Sequence, residues 1–128
     1  MKTNGRIGLL IVRLVLGLVF VVHGYEKIVA LSTTASWFDS IGIPGFIAYL
    51  VAAIEFGGGI LMIVGFLTRI VGGLFALVMV GAMATVKLPG AFVGGFELDL
   101  ILLAVSLMFA LSGSSFVAVD SMMAKKKE

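Results

Sequence analysis

Four apolar runs, at about 7–27, 46–67, 70–88 and 96–112, are the feature that most constrains this chain, and most of its charged residues lie outside them or at their ends. At about 1.5 Å per helical residue, each run approaches or spans the roughly 30 Å of hydrocarbon in a bilayer. Backbone amides that find no water must pair within their own segment, so runs of this kind fold as helices. Composition agrees. The chain is 61% hydrophobic and 12% charged, about half the charge of an ordinary soluble domain. Its 128 residues suffice for one domain. The expected fold is all-α. It is a membrane four-helix bundle of two antiparallel hairpins, with a short interfacial helix between spans one and two. Residues 1–128 form a single transmembrane domain, and 121–128 are its basic tail.

The connections differ in kind. Thr68-Arg69 leaves room only for a tight turn, so spans two and three run antiparallel. The segment from Ile28 to Gly45 is longer. Thr33 to Ile41 suits a short helix with Ser32 or Thr33 as N-cap, placing Trp37 and Phe38 at the interface where aromatic rings collect. Pro89, Gly90, Gly94 and Gly95 make a turn-rich cap between the last two spans. Gly57-Gly58-Gly59 and Gly72-Gly73 allow close helix approach. Lys2 and Arg6 ahead of an apolar stretch imitate a secretory signal, but Arg13 interrupts the run and three spans follow, which favours an uncleaved helix. With the N-terminus inside, Lys2, Arg6, Arg69 and Lys125 to Lys127 fall inside, against Lys27 and Lys87 outside. The positive-inside bias therefore predicts both termini in the cytoplasm.

Glu55 is the strongest candidate for chemistry, since a lone carboxylate near mid-bilayer costs about 3 kcal/mol on insertion scales. Arg13 lies about seven residues from the inner end of span one and Glu55 about nine residues into the antiparallel span two, so their depths agree to within about 6 Å and an Arg13–Glu55 intramembrane ion pair is expected. It serves either a site or simply the locking of two helices. His23, Glu26 and Lys27 form a second group. His23 and Lys27 are four apart and share a helix face. They make either the mouth of a ligand or proton site, or an interfacial helix end with extended side chains. Glu97 and Asp99 open span four, where acidic groups suit the helix dipole. Alternatively Glu97 faces His23 and Lys27 across the bundle, with Lys87 at the same depth. Cysteine is absent and histidine occurs once, so thiol chemistry and a metal or haem ligand set are excluded within one chain. The Lys125-Lys126-Lys127 tail suits lipid headgroups, and nucleic-acid binding is not expected.

Several residues in order and spacing resemble the DoxX family of small four-helix membrane proteins. They are Arg13 with Gly17, His23-Gly24 with Lys27, the Gly42-Ile43-Pro44 turn, Glu55 with Gly57-Gly58, Gly65-Phe66-Leu67-Thr68-Arg69, Glu97, and Gly113 with Ser115 and Asp120. The resemblance runs from Arg6 to Asp120. It implies a bundle in the plasma membrane and a link to quinone redox chemistry, the family's name-giving members being similar to subunits of a thiosulfate–quinone oxidoreductase. The leading reading is a redox-associated membrane subunit or oxidoreductase component. It would hold a quinone near Arg13, Glu55, His23, Lys27 and Glu97. It has no cofactor ligands of its own, so a soluble or membrane oxidoreductase partner would supply them. A homo-oligomer is a further candidate assembly. The alternatives are a small proton-coupled transporter using Glu55, and a purely structural or assembly protein.

Overall fold

The computed structural model describes residues 3–87, 90–113 and 117–127, with side chains throughout except at 3, 87 and 124–127. The described residues are mostly helical. α1 is Thr3–Val29, α2 is Leu31–Ser40, α3 is Phe46–Val64, α4 is Thr68–Ala82, α5 is Glu97–Ser112 and α6 is Val119–Lys127. A π-helical turn at Met83–Lys87 prolongs α4. An irregular turn at Phe92–Phe96 leads into α5, with Gly94 in the left-handed region at φ 72°. Four helical stretches are long and apolar enough to cross a membrane: Asn4–Val29, Phe46–Val64, Thr68–Val86 and Phe92–Ser112. The expected four-helix bundle with a short intervening helix is therefore the observed fold.

Local details differ from expectation at three places. α2 starts at Leu31 rather than Thr33, and neither Ser32 nor Thr33 caps it. Its N-cap is Ala30, which makes no side-chain bond, and Thr34 instead returns both its amide and its hydroxyl to the Ala30 carbonyl at 2.9 Å. The third span begins at Thr68, and its expected end at Leu88 lies outside the described residues, as does Pro89 of the following turn. The tail from 121, expected only as a basic segment, is helical to Lys127, and Asp120 just before it is tied back onto the bundle.

Small residues set the helix register. α1 lies directly on α3. A Cβ added to Gly17 would meet Ile63 Cγ1 at 2.6 Å and the Gly59 carbonyl at 2.8 Å, and one added to Gly24 would meet Phe56 Cα at 2.7 Å. α5 lies equally close on α4, where a Cβ on Gly72 would meet the Ser106 carbonyl at 2.7 Å. Lipid tails are as apolar as leucine, so this association depends on packing and on hydrogen bonds rather than on water exclusion. The core where the two pairs meet holds Leu16, Phe20, Met62, Val71, Phe75 and Phe109. Phe20 and Phe75 stack nearly parallel there, with ring centroids 3.7 Å apart. Most large apolar side chains outside this seam are exposed, as Ile11, Leu18, Leu50, Leu77 and Leu111 illustrate. That pattern suits a bundle whose outer solvent is hydrocarbon.

α3 and α4 are joined by a turn in which Gly65 has φ 77° and Leu67 has φ 55°. No side chain of the turn caps α4. Asp120, 52 residues further along, does so: Oδ1 accepts from the Leu67 amide at 2.7 Å, and Oδ2 from the Thr68 amide at 3.0 Å and hydroxyl at 2.8 Å. The Asp120 amide in turn donates to the Gly65 carbonyl at 2.9 Å. The two chain ends therefore lie at the same end of the bundle.

Candidate functional site

At the other end of the bundle the two helix pairs part, and α2 folds over the gap. Between them lies a cavity of about 650 Å³, within the usual range for small-molecule sites. Phe20, Phe38 and Trp37 line it with aliphatic side chains from α3 and α4. Phe38 is buried and Trp37 half-exposed, their rings edge-on at 5.7 Å. α2 brings both rings over the cavity. The polar groups on this otherwise apolar wall are His23, Lys27, Glu55, Thr85 and Asp99.

Lys27 Nζ lies 2.9 Å from Glu55 Oε1. The carboxylate side chain is 4% exposed and the lysine's 26%, and both residues line the cavity. An isolated carboxylate at the middle of a spanning helix would be costly, and this contact neutralises it. The expected Arg13–Glu55 pair is thus corrected: Glu55 pairs with Lys27. The expectation took each depth from the sequence limits of the antiparallel spans. The glycine contacts fix another register, with Gly17 on Gly59 and Gly24 on Phe56. They bring Arg13 level with Ile63 and Gly65, more than two turns from Glu55. The signal was present in the sequence, since reading the register from the glycines instead of the span limits sets Glu55 near the His23 to Lys27 end of α1.

Arg13 is only 1% exposed and belongs to the end that carries the termini. Its Nη2 donates to the Val117 carbonyl at 2.7 Å and to the Ile63 carbonyl at 3.3 Å. Asp120 lies within electrostatic range of it. Arg13 therefore ties α1 to the end of α3 and to the segment before α6, a structural latch at a distance from the cavity.

The remaining candidates divide. His23 lines the cavity but is exposed, and Glu26 is exposed outside it. Glu97 does not line the cavity; its Oε1 accepts from the Gly94 amide at 3.1 Å and so caps its own turn. Asp99 lines the cavity in its place. One of its oxygens, Oδ2, is buried with no hydrogen-bond partner among the described residues. The Lys87 side chain lies outside the described residues. The Thr85 hydroxyl is already committed to the Gly81 carbonyl at 2.6 Å. Sequence reasoning set Asp99 aside as a helix-dipole residue and overlooked Asp120 as a cap. The first is two residues from Glu97 and turned by about 200°, a rotation that only the orientation of α5 resolves.

A profile of the DoxX family matches residues 8–88. The chain is similar to the protein named "Putative oxidoreductase CatD" of Bacillus subtilis (strain 168), 46% identical over 128 residues that cover 100% of this chain and 96% of that one. It is similar to "Inner membrane protein YqjF" of Escherichia coli (strain K12), 38% identical over 69 residues that cover 54% of this chain and 53% of the relative. It is also similar to an uncharacterized membrane protein of Mycobacterium tuberculosis, 34% identical over 101 residues, 73% of this chain and 62% of that one. No solved structure matches it. The family match spans most of the bundle, including Arg13, Lys27 and Glu55, and with four spanning-length helices it leads to one conclusion: the chain is a membrane protein and belongs to the DoxX family.

Proposed function

We propose that this protein is a quinone-linked membrane subunit of an oxidoreductase, and that the cavity under α2 receives the ring of a lipid-soluble quinone. One observation carries the reading: a Lys27–Glu55 pair at 2.9 Å, its carboxylate buried, lines a cavity of about 650 Å³ that is otherwise mostly apolar and aromatic. In such a site Lys27 donates a hydrogen bond to a ring oxygen, and Glu55 holds the ammonium in place. Phe20, Phe38 and Trp37 offer apolar surface to the ring. The protein's contribution is to bind and orient the ring. Electrons come from a partner oxidoreductase, soluble or membrane-bound, that carries the redox cofactor. The name of the Bacillus subtilis relative agrees with an oxidoreductase role of this general kind.

Duroquinone binding to the purified protein in lipid nanodiscs tests the proposal. The expected result is saturable binding that weakens tenfold or more in Lys27→Met, because a hydrogen bond to a charged donor contributes about 1.5–3 kcal/mol. Arg13→Lys, at the far end, should leave binding unchanged. Absence of saturable binding to the folded protein would overturn the reading.

The same proposal sets the cavity on the outer side of the plasma membrane and both termini in the cytoplasm, as the excess of lysine and arginine near the termini favours. The chain has no cysteine, so single introduced cysteines report their side cleanly. A cysteine at Ser40 should react with an impermeant maleimide in intact cells, and one at Ser121 only after permeabilisation. The reverse pattern would invert the orientation.

A further inference from the structure

We propose that Asp99 is the acceptor for a ring hydroxyl, so that the cavity prefers the reduced, hydroquinone form of its ligand over the oxidised quinone. This rests on the cavity being a site for such a ring, and adds which form of the ring it selects.

The argument begins with charge. The titratable groups facing the cavity are His23 and Lys27 from α1, Glu55 from α3 and Asp99 from α5. Glu55 is met by Lys27 at 2.9 Å. Asp99 has no counterpart: its Oδ2 is buried without a hydrogen-bond partner among the described residues. The Thr85 hydroxyl, a neutral donor on the same wall, is spent on the Gly81 carbonyl. Among the described residues the wall carries two carboxylates, one ammonium and one imidazole. A carboxylate kept from water without a donor is unfavourable, so the cavity as it stands is incomplete on the α5 side.

What completes it is a hydrogen-bond donor on the ligand. An oxidised quinone offers only carbonyl oxygens. One of these can accept from Lys27, but the other would bring lone pairs against the Asp99 carboxylate. A hydroquinone carries a hydroxyl at each end of the ring. One oxygen accepts from Lys27, and the opposite hydroxyl donates to Asp99. An O–H donor on a carboxylate is among the stronger hydrogen bonds available to a neutral ligand, and its expected effect is about tenfold or more in affinity.

The test uses the full chain in phosphatidylcholine nanodiscs under anaerobic conditions, with durohydroquinone and duroquinone titrated separately. These rings are fully substituted and resist addition by Lys27. The wild type should bind durohydroquinone about tenfold more tightly. Asp99→Leu should abolish that preference, weakening durohydroquinone and relieving the opposition that duroquinone meets at the carboxylate. Asp99→Asn keeps a carbonyl acceptor without charge and should reduce the preference severalfold, which keeps the test decisive if the leucine variant fails to fold. Equal or reversed affinities in the wild type would overturn the assignment of Asp99 and leave the quinone site standing. So would a preference that survives in the folded Asp99 variants. Failure of both rings to bind would overturn the site and this inference together.

Discussion

The buried charges of this protein act in two separate places, and single substitutions should report them separately. Lys27 and Glu55 are in contact, so their effects are coupled. Lys27→Met alone strands a carboxylate in the bundle and should lower the thermal midpoint in detergent more than the double variant Lys27→Met/Glu55→Gln does, with a coupling energy of about 0.5–3 kcal/mol. Arg13 and Glu55 share no partner and lie more than two turns apart along the bundle. Arg13→Met and Glu55→Gln should therefore add within about 0.5 kcal/mol. A sizeable coupling between that second pair would restore the ion pair that the spacing of spans first suggested. Asp120 caps α4 from a distant part of the chain. Asp120→Ala should cost about 1–2 kcal/mol, as loss of an N-cap does, while Asp120→Asn, which keeps one acceptor oxygen, should cost less. Unchanged stability in Asp120→Ala would mean that water takes over all three donors.

Among the elements, the contact of α1 on α3 governs the site, because it decides which residue of α1 stands opposite Glu55. Gly24→Ala puts a methyl into the Phe56 backbone, and a backbone cannot yield as a side-chain tip can. This variant should lower the unfolding temperature and weaken ring binding, since α1 must move off α3 and carry Lys27 with it. Gly8→Ala meets nothing within 4 Å and should leave both unchanged; equal effects of the two would contradict the register described above. This contact also explains how far the sequence could be read. The helices were legible because lipid leaves the backbone no other way to pair. Their sequence limits follow from charges and turn residues to within a few positions. The partner of Glu55 was not legible from span limits, because α1 is longer than the other helices and its end does not mark the level of α3. Glycine contacts carry that information, but which glycines touch is a property of the assembled pair. Asp99 and Asp120 escaped for a similar reason, since their environments are made by helices remote in sequence.

Taken whole, the molecule is two tightly joined helix pairs, held together by an aromatic seam at mid-height and latched at the end that carries the termini, while the other end stays open as a cavity. The latch joins the beginning of the chain to its end: Arg13 on the first helix donates to Val117, 104 residues later. A chain stopped after Gly113 would retain all four spans yet lack both Val117 and Asp120. It should insert normally and be degraded or aggregate faster than the chain that continues through α6. Equal half-lives of the stopped and complete chains in a pulse-chase measurement would refute this. During synthesis the first helix reaches the bilayer while most of the chain is still unmade. The contact between Arg13 and the Val117 carbonyl can form only once the chain has been made through α5 and beyond, so this latch closes after the four spans have been synthesised.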